Sequence, residues 1–194
     1  MNVERRSPDQ PFRRDGNRTG FTVGQFWQWA MSDVTGNTER AIVAEFIVAN
    51  ALKVADGVRN PWQSFDLRTG DGIRVEVKSA AYLQAWHQDK PSDIRFSIAP
   101  SMAWNPETGK FESVSKRQSD IYVFCVFENL EQREADPMEL SNWTFYVIST
   151  ALLNEKCANQ KSIGLKSLLG LSPARCKYGD LPDEVRRVSA ESAG

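Results

Sequence analysis

The chain has 194 residues, with 24 basic and 25 acidic side chains, a formal net charge of -1 and 41% hydrophobic residues. That length buries a substantial core without disulfides, and the balanced charge excludes tight nonspecific grip on nucleic acid by bulk positive charge alone, so any such surface must be polarised. The lone His87 rules against histidine-built metal sites and catalytic relays, while Cys125, Cys157 and Cys176, with no Cys-x-x-Cys pair, rule against structural zinc and point to a reducing compartment.

Residues 1–20 are rich in Arg, Asp, Pro, Gly and Asn without apolar periodicity, which predicts a mobile charged tail rather than a secretory signal. Residues 21–185 read as a single domain and 186–194 as a loose C-terminus. Thr22 to Met31, with Phe26, Trp27 and Trp29, predicts a short helix that Gly36 breaks. Asn37 to about Val54 predicts a second, largely buried helix, with Asn37 as N-cap and Ile42, Val43, Phe46, Ile47, Ala49 and Leu52 as its apolar positions. Glu39 suits the helix dipole. Glu45 instead lies along the apolar stripe, and a buried acid needs a partner: a metal ion or its bound water, or an arginine or backbone amide.

Phe65 and Leu67 bracket Asp66, and Ile73, Val75 and Val77 alternate with Arg74, Glu76 and Lys78, the period of two strands. Thr69-Gly70-Asp71-Gly72 between them is turn-rich, so the segment reads as a hairpin. Its register follows from parity: the odd-numbered apolar residues share a face only with an odd loop, and a three-residue loop at Gly70 to Gly72, with Gly72 left-handed, sets Asp66 opposite Glu76.

Beyond the hairpin, Ala80 to Trp86 gives way to a loop over His87 to Pro91, and Ile94, Phe96 and Ile98 alternate as a strand. A turn is expected around Asn105-Pro106-Glu107-Thr108-Gly109. Ile121 to Phe127 reads as a buried central strand and Phe145 to Ile148 as another. Ser162 to Leu169 suggests a short helix, and the charged segment after Pro182 a surface helix. Lys116, Arg117, Lys161 and Lys166 are candidate phosphate contacts, and Gln84 and Gln118, near expected strand ends, candidate contacts to nucleic acid. For each of the four basic residues, an ordinary solvated charge is the competing reading. No glycine-rich phosphate loop occurs, and no apolar stretch has the length of a membrane span. The expected location is cytoplasmic.

Two opposed carboxylates form the all-oxygen environment that Mg²⁺ prefers, and an ammonium two residues past the second reaches an attacking water or a scissile phosphate. Asp66, Glu76 and Lys78, preceded by the helical Glu45, resemble the PD-(D/E)xK, or restriction-endonuclease-like, nuclease superfamily. The resemblance spans roughly residues 37–149, and Trp62-Gln63-Ser64-Phe65 stands where the superfamily's eponymous proline often lies. It implies an α/β fold with a restriction-endonuclease-like core, a mixed central β-sheet with a catalytic antiparallel hairpin flanked by helices. It also implies that Asp66, Glu76 and the Val77 carbonyl bind Mg²⁺, with Mn²⁺ as a substitute. Glu45 would support the metal directly or through water, and Lys78 would position or activate water.

The leading expectation is therefore a Mg²⁺-dependent endonuclease hydrolysing DNA phosphodiesters, in restriction, phage defence or DNA repair. Sequence selectivity would come from loops, a homodimer or a recognition partner. The competing expectation is a catalytically silent nuclease-like scaffold that binds nucleic acid or a partner protein. An RNA-cutting enzyme would share the metal chemistry.

Overall fold

The computed structural model describes residues 3–105 and 107–193. Met1, Asn2, Pro106 and Gly194, which belong to the expected tail, turn and C-terminus, lie outside the described residues. In chain order the elements begin with strands β1 (Pro11–Arg14) and β2 (Asn17–Thr22) and helices α1 (Val23–Met31) and α2 (Asn37–Ala51). Strands β3 (Leu67–Arg68), β4 (Arg74–Ala81), β5 (Arg95–Ser97), β6 (Ser101–Asn105), β7 (Lys110–Lys116) and β8 (Ile121–Phe127) follow. The chain ends with β9 (Trp143–Ser149), α3 (Thr150–Cys157), β10 (Ser162–Gly164), α4 (Leu165–Leu169), β11 (Ala174–Cys176) and α5 (Leu181–Ala193).

Five strands form a mixed sheet in the order β11-β9-β8-β4-β3. Strand β8 runs parallel to β4 and antiparallel to β9, and β3 pairs antiparallel with β4 at the edge. All seven residues of β8 are buried, as its continuous β-branched and aromatic run requires of a strand covered on both faces. One face packs Val75, Val77, Val123, Cys125 and Phe145 against Ala44, Ile47 and Val48 of α2 and Leu181 and Val185 of α5. The other packs Tyr122, Phe124, Val126 and Ile148 against Phe96, Ile98, Leu153, Ile163 and Leu168. Odd residues of β4 thus enter the helical layer, and Glu76 and Lys78 lie on the opposite face.

Several elements depart from the sequence expectation. Residues 11–22, within and just past the expected tail, form the β1–β2 hairpin, whose turn has Asp15 and Gly16 at positive φ, and its Phe12 and Phe21 rings meet at 4.9 Å. Thr22 caps α1, exchanging bonds with Gln25. Helix α2 begins at Asn37 but takes Gly36 as N-cap, because the Asn37 side chain accepts from Arg40 instead. It stops at Ala51, short of Val54, because Lys53 turns left-handed (φ 57°) and the Val54 N–H returns to the Ala49 carbonyl. The segment expected to be one helix over residues 162–169 divides: Ser162–Gly164 pairs with β5, burying Ile163, before α4 starts. Helix α5 runs through the stretch expected to be a loose terminus, tied by Arg187 to Glu184 and Glu191. Among the described residues no helix is long and apolar enough to cross a membrane.

Candidate active site

Strand β3 is only two residues long, and its pairing sets Leu67 against Val75 and Arg68 against Arg74. Thr69 closes the turn by accepting from Gly72 and donating to Ile73, leaving a three-residue loop at residues 70–72 with Gly72 at φ 94°. Continued by one residue beyond the strand, this register sets Asp66 opposite Glu76. There the backbone ladder shifts: the Asp66 N–H donates to the Val75 carbonyl, and the Asp66 side chain takes over the next position. Its Oδ2 accepts the Val77 N–H at 2.7 Å. A strand residue's N–H and C=O leave on the same edge, so the Val77 carbonyl points to the side on which Asp66 stands.

Burial and the nearby Glu76 and Glu45 charges raise the Asp66 carboxyl to about 6, against the opposing effects of the Val77 N–H and the Lys78 charge. Glu76 is held from two sides: Lys78 Nζ lies 2.6 Å from its Oε1, and the Ser119 hydroxyl donates to Oε2 at 3.1 Å. Ser119 sits just ahead of β8, and its position is fixed by Asp120, which accepts from the Arg74 backbone and guanidinium and donates its own N–H to the Arg74 carbonyl. The guanidinium beside it holds the Asp120 carboxyl below the usual range.

Glu45 is buried on α2, and Arg59 Nε, from the loop between α2 and β3, pairs with it at 2.7 Å. Of the partners open to this acid, the structure provides the arginine. Two clefts meet at Asp66. One, of about 290 Å³, is lined by Glu45, Arg59, Asp66 and Arg68, and the other, of about 230 Å³, by Asp66, Glu76, Trp62, Trp104 and Phe111. Among the described residues no group of three or more His, Cys, Asp or Glu side chains is arranged to hold a metal ion. The donor set facing the second cleft is therefore two carboxylates, Asp66 and Glu76, with the Val77 carbonyl on the same edge. An all-oxygen, anionic set containing a carboxyl raised by burial and by its like-charged neighbours is chemically suited to a hard divalent cation.

The four candidate nucleic-acid contacts separate sharply. Lys116, at the end of β7, is exposed. Arg117 is buried, and its guanidinium donates to the carbonyls of Ile98, Cys157 and Gln160 and to the Asn154 side chain, so it ties β5, α3 and the following loop together and is not free to meet a phosphate. Gln118 is buried and donates to the Ser101 carbonyl. Gln84 is half-buried, with its amide donating to Ala81 and Ser92. For Arg117, Gln118 and Gln84 the expected surface role gives way to internal hydrogen bonding, because each follows an element end that folds inward. Lys161 and Lys166 are exposed, beyond α3 and in α4.

Residues that the sequence did not single out complete the surroundings. Ser119 and Arg59 carry no pattern of their own and are found only through the acids they contact. Trp62, Trp104 and Phe111 come from three separate segments, and the exposed β7 has no apolar alternation to betray its pairing with β6.

A family model described as Bacteriophage T4 endonuclease IV matches residues 26–167, more than two thirds of the chain and the whole of the site. No curated protein matches it.

Proposed function

The chain belongs to the Bacteriophage T4 endonuclease IV family, a nuclease family, and from that premise we propose that it is a Mg²⁺-dependent endonuclease that hydrolyses DNA phosphodiester bonds. The observation that carries this reading is the Asp66–Glu76–Lys78 group at the edge of β4, with Asp66 raised to about 6. The succession of α2, the β3–β4 hairpin and the parallel β8 supports a restriction-endonuclease-like core of the PD-(D/E)xK type. Asp66, Glu76 and the Val77 carbonyl would hold Mg²⁺, or Mn²⁺ in its place. When bound, such an ion supplies positive charge to the phosphate and acidifies a water.

The protein's own groups do the rest. Asp66 must be ionised to bind, so the Val77 N–H, which favours its charged form, keeps the carboxylate oriented while its neighbours oppose ionisation. Ser119 fixes the rotation of the Glu76 carboxylate by holding Oε2. Lys78 Nζ donates hydrogen bonds to the anionic oxygens that develop at the scissile phosphorus, where a preorganised donor is worth most. Glu45, held by Arg59, contributes negative charge near Asp66, and Arg59 balances it.

A second reading, a catalytically silent scaffold that binds nucleic acid or a partner, draws on the Glu45–Arg59 pair, which occupies the helical acid without any metal. Supercoiled plasmid, linear duplex and single strands incubated with Mg²⁺, Mn²⁺ or chelator, beside Lys78→Ala and Asp66→Ala, separate the two. Metal-dependent cutting lost in both variants supports the enzyme. Binding with no turnover on any substrate supports the scaffold.

A further inference from the structure

The second cleft has a floor and a wall of different chemistry. Asp66 and Glu76 form the floor, and Trp62, Trp104 and Phe111 form the wall, with Met102 at its rim. The Trp62 and Trp104 ring centroids lie 6.1 Å apart with planes tilted by 49°, and Trp104 meets Phe111 edge-on at 5.1 Å. Each neighbouring pair supports the next, so the wall is held as a unit. Yet Trp62 is 68% and Phe111 58% exposed, and none of these rings belongs to either core. Three segments, the loop after α2, β6 and β7, thus bring large apolar faces to water beside the carboxylates, at a hydration cost that the fold itself does not recover.

We infer that Trp62, Trp104 and Phe111 form a subsite that stacks the nucleobase next to the phosphate being cut. The position of that phosphate rests on the nuclease reading. A phosphate and its base are covalently joined, so a backbone held over Asp66 and Glu76 delivers an adjoining base to the wall of the same cleft. An aromatic face accepts any base, since every base presents a π-surface, and the wall carries no charged group that would repel the strand. The balanced net charge gives this contact added weight: with no basic excess to grip the backbone, base stacking supplies affinity that does not depend on phosphate neutralisation.

The test compares two short oligonucleotides of equal length, one carrying bases and one made wholly of abasic residues. Binding of each to the full chain is read by fluorescence anisotropy with Ca²⁺ in place of Mg²⁺. The wild-type protein should prefer the base-bearing strand by about 5- to 150-fold, the range expected for one stacked base. Trp104→Ala and Trp62→Ala should erase most of that preference while leaving abasic binding unchanged. Trp29→Ala, on α1, should change neither. Trp62 lies on an exposed loop, so its variant should melt like the wild type and keep the test valid if Trp104→Ala does not fold. Equal binding of the two strands by the wild type overturns the inference. So does an equal loss of both strands in the variants, or a change of oligomeric state on removing the rings, which would make the wall a contact between copies. Metal-dependent cutting without base dependence sinks this subsite alone. Base dependence that the Trp variants erase, with no cutting of any substrate, supports the subsite and overturns the nuclease reading.

Discussion

Strands β8 and β3 belong to the same sheet and differ in almost every physical respect. Strand β8 is paired along its whole length on both sides, and its seven side chains are all buried. Strand β3 has two residues, lies at the edge and ends before its partner does. Where β3 stops, the Val77 N–H would be left without a backbone acceptor, and Asp66 fills the vacancy with its carboxylate. A saturated strand has no free backbone group with which to do chemistry. The unfinished one lends a carboxylate and leaves its neighbour's carbonyl facing a cleft, so the centre holds the fold and the edge holds the proposed site.

The division can be broken in four ways. Asp66→Ala should lower cleavage by about 10³-fold, as loss of a transition-state electrostatic contact does, with little change in melting temperature, because the lost Val77 N–H bond is offset by removal of a buried charge. A large drop in melting temperature would make Asp66 part of the scaffold after all. Phe124→Ala, at the centre, should destabilise by about 3–5 kcal/mol in urea denaturation, since Phe124 is fully buried against Phe96 and Tyr122.

Asp66→Asn in chelator should stabilise by up to ~3 kcal/mol at pH 8, because a carboxyl moved from 3.8 to about 6 carries a folding penalty once it ionises. Below about pH 4 the carboxyl is protonated in both folded and unfolded chains, so the two proteins should converge there; the wild type loses stability as pH rises through about 6. Calorimetry across that range reads the sign directly, and a gap that grows toward acid would refute the assigned burial. The smallest effect is that of the cation. Mg²⁺ at ten times its dissociation constant should stabilise the wild type by about 1.4 kcal/mol, chelator should reverse the gain, and Asp66→Asn should show little of it.

The central strands were legible in the sequence because Ile121 to Phe127 is apolar throughout and Phe145 to Ile148 nearly so, and a doubly covered strand has no other way to be written. The hairpin register was legible for a different reason. Alternation at Ile73, Val75 and Val77 allows only one parity, and the same parity sets Asp66 across from Glu76. What stayed hidden depends on contacts that carry no period. Arg117 next to Lys116 reads as a basic pair, yet one residue faces solvent and the other binds three carbonyls inside the protein, because β7 ends between them. The β1–β2 hairpin and β7 are exposed along nearly all their length and so lack the apolar rhythm by which a strand is recognised. Helix α2 stops where Lys53 turns left-handed, a conformation that the sequence does not favour at a lysine.

The bond between Arg74 and Asp120 bears on how the molecule is assembled. It joins the first residue of β4 to the residue just before its parallel neighbour β8, 46 positions apart in the chain, and Asp120 also accepts the N–H of Thr150 at the start of α3. Parallel pairing over such a separation forms slowly, and sliding β4 by one residue against β8 would swing Glu76 and Lys78 into the oily helical layer. The bonds between Asp120 and Arg74 penalise that slip, acting as a latch that engages in one alignment and leaves Glu76 and Lys78 outward once the search is over.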